Sequence, residues 1–233
     1  ALVAAKEELP GEVMFVFQPS EEGPPNAGEE FGAALMLKQG IFDDFKPQAV
    51  FGLHVWAGLP VGQVGTRSGA LMASADEWTL TVRGKQTHGS RPWGGVDPIV
   101  ASADLIGTAQ TIVSRRQDIS RLPIVLSFGA IKGGIRYNII PDTVEMIGTL
   151  RTFDMDQRAD VVRRFSEGAE RIAQAAGGST RWHIQTNAPV TANDPELTRR
   201  MLPTLQRTVG AGQVVELPPM TVAEDFGEFG QRA

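Results

Sequence analysis

The sequence predicts an α/β fold in which a β-α-β unit is interrupted by a compact β-α-β-β-α-β insert, and three observations carry that prediction. Two short apolar, β-rich runs, residues 12–18 (EVMFVFQ) and 49–55 (AVFGLHV), flank a stretch with helix-spaced Phe31, Leu35 and Met36 that closes at Gly40. Residues 76–83 (DEWTLTVR) alternate as a half-buried strand should, and they open a run of strand, helix, strand, strand, helix, strand. A further helical stretch, 195–209, then returns the chain to the first style of element. The first pattern is the unit of a parallel sheet; the second is the split, ferredoxin-like unit, one antiparallel sheet covered on one face by two helices.

Taken in order, residues 1–9 (ALVAAKEEL) have good helix formers but no N-cap and are halted by Pro10-Gly11, as the back half of a helix would be. Residues 223–233 stop inside another helical turn. Both ends suggest a truncated chain; frayed termini are the alternative. Residues 12–18 and 49–55 are expected to be buried strands, and the first feeds a polar, acidic loop at 19–28. Residues 61–72 resemble a hairpin around Gly65. In the insert, Asp97 caps a helix at 98–115 with Pro98 in its first turn. Strands at 124–132 and 143–152, a helix at 155–176 and a strand at 180–186 complete it. Asp194 stands near the cap of the 195–209 helix. The expected organisation is therefore 73–189 inserted between 1–72 and 190–233, without repeats or low-complexity tracts.

A chain of 233 residues, 42% of them hydrophobic, can hide roughly 70% of its unfolded surface. Bulk stability thus requires neither disulfides nor a structural metal. The net charge of −5, with 22 scattered Lys and Arg, leaves no footprint for nucleic acid or an anionic membrane. No apolar run approaches the ~20 residues of a membrane span. The absence of Cys excludes thiolate ligands. The compartment stays open, with the cytoplasm favoured and a missing N-terminal targeting signal as the other possibility.

Candidate chemistry begins at Glu21 and Glu22, adjacent carboxylates directly after a strand-like run, in QPSEEG. Neighbouring side chains on extended backbone point apart, so one can hold a metal while the other takes a proton from water. Solvated surface carboxylates are the bland alternative. His54 ends the second strand-like run, and the crevice beyond the carboxyl ends of parallel strands is where α/β sheets place their sites. Carboxylate plus imidazole suits zinc or manganese. In the insert, His88 lies in the Gly- and Pro-rich THGSRPWGGVDP, in a functional or a turn-stabilising role. Asn138 is a turn former or an amide donor to an oxyanion. Arg151 clamps a carboxylate or makes a surface ion pair.

QPSEEG, GLHVW, THGSRPWGGVDPI, YNIIPD, GTLRTF and AEDF, in that order and spacing, resemble the metallopeptidase and amidohydrolase family of hippurate hydrolases, indole-acetyl-amino-acid hydrolases and aminoacylases. The likeness covers nearly the whole chain. It implies a di-metal, exopeptidase-like catalytic domain interrupted by a ferredoxin-like lid and dimerisation domain. It implies Glu21 as general base, Glu22 and His54 as metal ligands, and His88 as the group that stabilises the tetrahedral intermediate, in related dimers within the partner's site. Asn138 then contacts substrate and Arg151 holds its carboxylate. The implied activity is hydrolysis of the amide bond of N-acyl amino acids or peptides, by two divalent ions per site, zinc or manganese, in a homodimer joined through the lid.

The departures matter equally. The family's HxDxLP-like and HxCGHD-like segments and its last His beyond AEDF do not occur in these 233 residues, and the chain has three His in all. Catalytic zinc normally takes three protein ligands plus water, so several ligands are expected to be lacking here. The alternative reading is an inactive fragment serving only as a dimerisation or small-ligand-binding module.

Overall fold

A computed structural model of the chain describes residues 2–23 and 29–232, so 24–28 of the predicted polar loop fall outside the described residues. In chain order the elements are α1 (Gly32–Lys38), β1 (Val64–Thr66), β2 (Gly69–Met72), β3 (Ala75–Arg83), β4 (Thr87–His88), α2 (Pro98–Arg116), β5 (Val125–Gly133), β6 (Ile139–Ile140), β7 (Thr143–Arg151), α3 (Met155–Ala175), β8 (Ser179–Ala188), β9 (Thr191–Asn193), α4 (Pro195–Val209), β10 (Val214–Glu216) and α5 (Gly227–Gly230). Leu2–Glu8 form a 3-10 helix rather than the α-helix their composition suggests.

The core belongs to a four-stranded antiparallel sheet in the order β5-β7-β3-β8, backed by α2 and α3. This is the β-α-β-β-α-β unit that the alternation predicts. Every second residue of β3 (Trp78, Leu80, Val82) is buried, as are Val144, Met146 and Leu150 of β7 beside it. They meet Leu105, Ala109 and Ile112 of α2 and Val161, Phe165 and Ala169 of α3. Trp78 is fully buried, edge-on to Phe128 at 4.8 Å and Phe165 at 5.1 Å, and stacked on Trp182 at 5.7 Å. Gly148 makes this possible. A Cβ there would lie 2.1 Å from the Trp78 ring and 2.0 Å from the Ser127 carbonyl oxygen, which no side chain can occupy.

The helices start where capping predicts. Asp97 accepts from the amides of Ile99 and Val100, Asp154 from Asp156 and Gln157, and Asp194 from Leu197. Pro at the first turn of α2 and of α4 gives up an amide that has no partner there in any case.

Three local expectations need correcting. Residues 12–18 and 49–55 carry strand-like composition, yet neither pairs with another strand among the described residues. Composition can favour extended backbone, but a strand needs a neighbour to take its amides and carbonyls. As a result Phe17, Leu53 and Val55 are 86%, 92% and 94% exposed. The third case is 61–72, which is not a hairpin: β1 runs parallel to β10, and β2 antiparallel to β9. Gly65 lies within β1, paired with Val215 of β10, and is glycine there because an added Cβ would sit 2.6 Å from Leu217.

The β2–β9 pair sets the start and the end of the segment between them side by side. Just beyond it lies a buried polar junction. Ser74 N donates to the Thr152 carbonyl at 2.8 Å, and the Arg158 guanidinium grips both oxygens of the fully buried Asp76 at 2.9 and 2.7 Å. Thr186 Oγ1 donates to the same carboxylate. The buried Asp76 charge is held only because the partly exposed Arg158 pairs with it.

Candidate metal-binding active site

The acidic loop is shaped by its backbone. Ser20 adopts φ +51°, and the Gly23 amide donates back to the Ser20 carbonyl, turning the chain through Glu21 and Glu22. Glu21 is half-buried and Glu22 exposed. The loop is braced from 200 residues away. Asp225, 7% exposed, accepts from Gln18 Nε2 on both oxygens at 2.7 and 2.8 Å, and from the Ala33 amide at the start of α1 at 2.8 Å. Gly32 permits this at φ +62°, where a Cβ would stand 1.9 Å from Asp225 Oδ2.

The neighbours of Asp225 reach the other wall. The ring of Phe226 lies against Gly52, whose Cβ would be 2.9 Å from it, two residues before His54. Glu224, its side chain 15% exposed, brings a carboxylate oxygen to 4.0 Å from His54 Nε2. Ligand-capable oxygens of Glu21, Glu224 and Asp225 all lie within 4.8 Å of one another. AEDF thus ties the acidic loop to the histidine segment.

The histidine is poised as well as placed. His54 Nδ1 lies 2.7 Å from the Val55 carbonyl oxygen, which can only accept, so in the neutral ring Nδ1 carries the proton and Nε2, 4.0 Å from Glu224, is left with its lone pair. Burial, then the Glu21 and Asp225 charges, push the Glu224 carboxyl up to about 7, against the Phe226 amide that favours its anion. Carboxylate oxygens of Glu21 and Glu224, with an imidazole nitrogen 4.0 Å from Glu224, are donors of the kind a divalent ion takes, and Asp225, its oxygens already hydrogen-bonded, steadies them.

His88 and Asn138 are brought together elsewhere, in the insert. β4 pairs with β6 so that His88 faces Ile139, and the Gly89 amide donates to the Asn138 carbonyl at 2.8 Å. His88 is exposed and Asn138 half-buried. Arg151 ends β7, and its guanidinium donates to Thr149 Oγ1 and to the Leu150 carbonyl, inside its own strand. Glu22 stands outside the three-carboxylate cluster.

Spacing alone does not mark Glu224 and Asp225 within AEDF. The signal the sequence does carry is two adjacent acids set between Val222-Ala223 and Phe226, since carboxylates in apolar surroundings are rarely buried without partners.

Comparison with known proteins follows the same lines. The profile of peptidase family M20/M25/M40 matches residues 1–233. An N-acetyl-L-cysteine deacetylase of Bacillus subtilis is 36% identical over 96% of this chain and 51% of its own length. Thermostable carboxypeptidase 2 of Saccharolobus solfataricus is 34% identical over 100% of this chain and 57% of its own. A Bacillus subtilis crystal structure described as a dinuclear metal-binding peptidase of the M20 family superposes with a TM-score of 0.73 at 29% identity, covering 92% of this chain and 51% of that one. The chain spans about half the length of the curated relatives it matches.

Proposed function

The chain belongs to peptidase family M20/M25/M40, and on that premise we propose that the complete protein hydrolyses the amide bond of N-acyl amino acids or peptides with two divalent ions, zinc or manganese. The observation that carries this reading is the convergence of Glu21, Glu224 and Asp225, with His54 Nε2 4.0 Å from Glu224. The names of the relatives, a deacetylase and a carboxypeptidase, support the bond type.

Bound divalent ions would supply polarisation of the scissile carbonyl and a more acidic water. Glu22 and His54 are the proposed ligands from this chain, with Glu224 beside them. Asp225 has both oxygens already accepting and serves as the brace that aims Glu21 and Glu224. Glu21 takes the proton from the attacking water and passes it to the leaving amine. His88 and Asn138 donate hydrogen bonds to the developing oxyanion, and Arg151 holds the substrate carboxylate.

Residues 1–72 and 190–233 are the proposed catalytic part, and 73–189 the lid, supported by the β2–β9 pair at the point where the chain leaves and returns. β5, a nine-residue edge strand, offers the surface for a homodimer through the lid. No helix among the described residues is long and apolar enough to cross a membrane.

In the complete protein, Glu21→Gln is expected to fold normally and to lose ~10²–10³-fold or more in turnover. Retention of more than about a tenth of the wild-type kcat rejects the general-base role. Metal analysis of the purified protein should find zinc or manganese.

A further inference from the structure

The two candidate histidines sit in opposite local frames. At His54 the ring's Nδ1 faces a carbonyl oxygen, which leaves Nε2 as a lone pair. At His88 the reverse holds. The Ser90 backbone amide, which can only donate, points at His88 Nδ1 from 3.1 Å, and Ser90 Oγ lies 2.8 Å from the same nitrogen. Nδ1 must therefore present its lone pair, and in the neutral ring the proton is on Nε2.

We propose that Ser90 is a positioning residue that locks His88 as the Nε2–H tautomer, making its outward nitrogen a hydrogen-bond donor and excluding it as a metal ligand or a base. The inference rests on the reading of His88 as the donor to the oxyanion. The backbone around it is built to hold this state. The Arg91 amide donates to the His88 carbonyl at 2.8 Å, closing a turn over residues 88–91 that aims the Ser90 amide inward. The Gly89 amide is anchored to Asn138, and Gly89 suits the approach, since a Cβ would be 3.2 Å from the Asn138 backbone. The same turn thus fixes the proton on His88 and the place of its neighbour Asn138. A donor set before substrate arrives needs no reorganisation when negative charge develops, whereas the Nδ1–H tautomer would present a lone pair to the oxyanion.

The chain has only three imidazoles, so their nitrogen resonances can be assigned one by one. Nitrogen-15 NMR of the metal-free chain near pH 8, above the ordinary histidine pKa of about 6.5, is expected to show His88 protonated on Nε2 and His54 on Nδ1. A dominant Nδ1–H form of His88 overturns the proposal. In Ser90→Ala, which keeps the amide but loses Oγ, the His88 Nε2–H population should fall, with Ser90→Thr restoring it. In the complete protein the same pair should show a kcat about fivefold lower for Ala at little changed KM, recovered by Thr. An unaltered His88 spectrum together with unaltered kcat in Ser90→Ala overturns the role of Ser90. Full kcat in His88→Ala, with the tautomer as expected, instead defeats the oxyanion reading and leaves the lock standing.

Discussion

Glu224 illustrates how much a single residue's surroundings decide. Its carboxyl ordinarily titrates at 4.5 and is pushed up to about 7 by burial and then by the Glu21 and Asp225 charges. A group with a raised folded pKa adds stability that is complete below its unfolded pKa and is lost as the pH rises through the folded one. Chelator-treated protein should therefore lose thermal stability between pH 4.5 and about 7 through this group. Glu224→Gln should flatten that part of the profile, and added zinc or manganese should restore stability at neutral pH. A slope unchanged in Glu224→Gln would show that the residue does not govern it. Gly32→Ala tests the brace: the new methyl would meet Asp225 Oδ2 at a positive φ, with an expected cost of about 1–3 kcal/mol in melting experiments and weaker metal binding by calorimetry. At this scale the sequence displayed Glu21, His54 and His88 because each follows or punctuates a recognisable run. It hid the contribution of Asp225, whose partners Gln18 and Ala33 are 207 and 192 positions away.

Elements were legible where their pattern is self-sufficient. The alternation of β3, with Trp78, Leu80 and Val82 buried, and the Asp caps of α2, α3 and α4 are local signals, and the observed bounds fall within a few residues of those expected. Pairing is not local. Residues 61–72 have hairpin composition, but β1 and β2 find better neighbours in β10 and β9, well over a hundred residues on. The fit of β7 against β3 yields a prediction proper to this scale. Gly148→Ala would drive a methyl into the Trp78 ring and should destabilise by about 3 kcal/mol or more, seen as a lowered denaturant midpoint with the m-value retained. A wild-type midpoint would mean that β7 can shift away from β3 at little cost.

For the whole molecule, the segment from β3 to β8 enters and leaves through adjacent strands and is pinned there by Asp76 and Arg158. Such an arrangement lets the proposed lid carry His88 and Asn138 as one unit, apart from the Glu21 and Glu224 cluster. If dimers share their sites through that lid, mixing the complete His88→Ala and Glu21→Ala proteins should regain up to about a quarter of wild-type activity, the statistical share of wild-type sites in a random heterodimer pool. No recovery after subunit exchange would mean that each site is self-contained.

Val13, Phe15 and Phe17, with Phe51, Leu53 and Val55, leave six large apolar side chains facing water from two segments that pair with no strand among the described residues. Handled by itself, the polypeptide will seek shelter for them. Fluorescent hydrophobic probes should light up in its presence, mild detergent should slow its precipitation, and single charges written at Phe17 or Leu53 should improve its recovery without touching the sheet that holds the core.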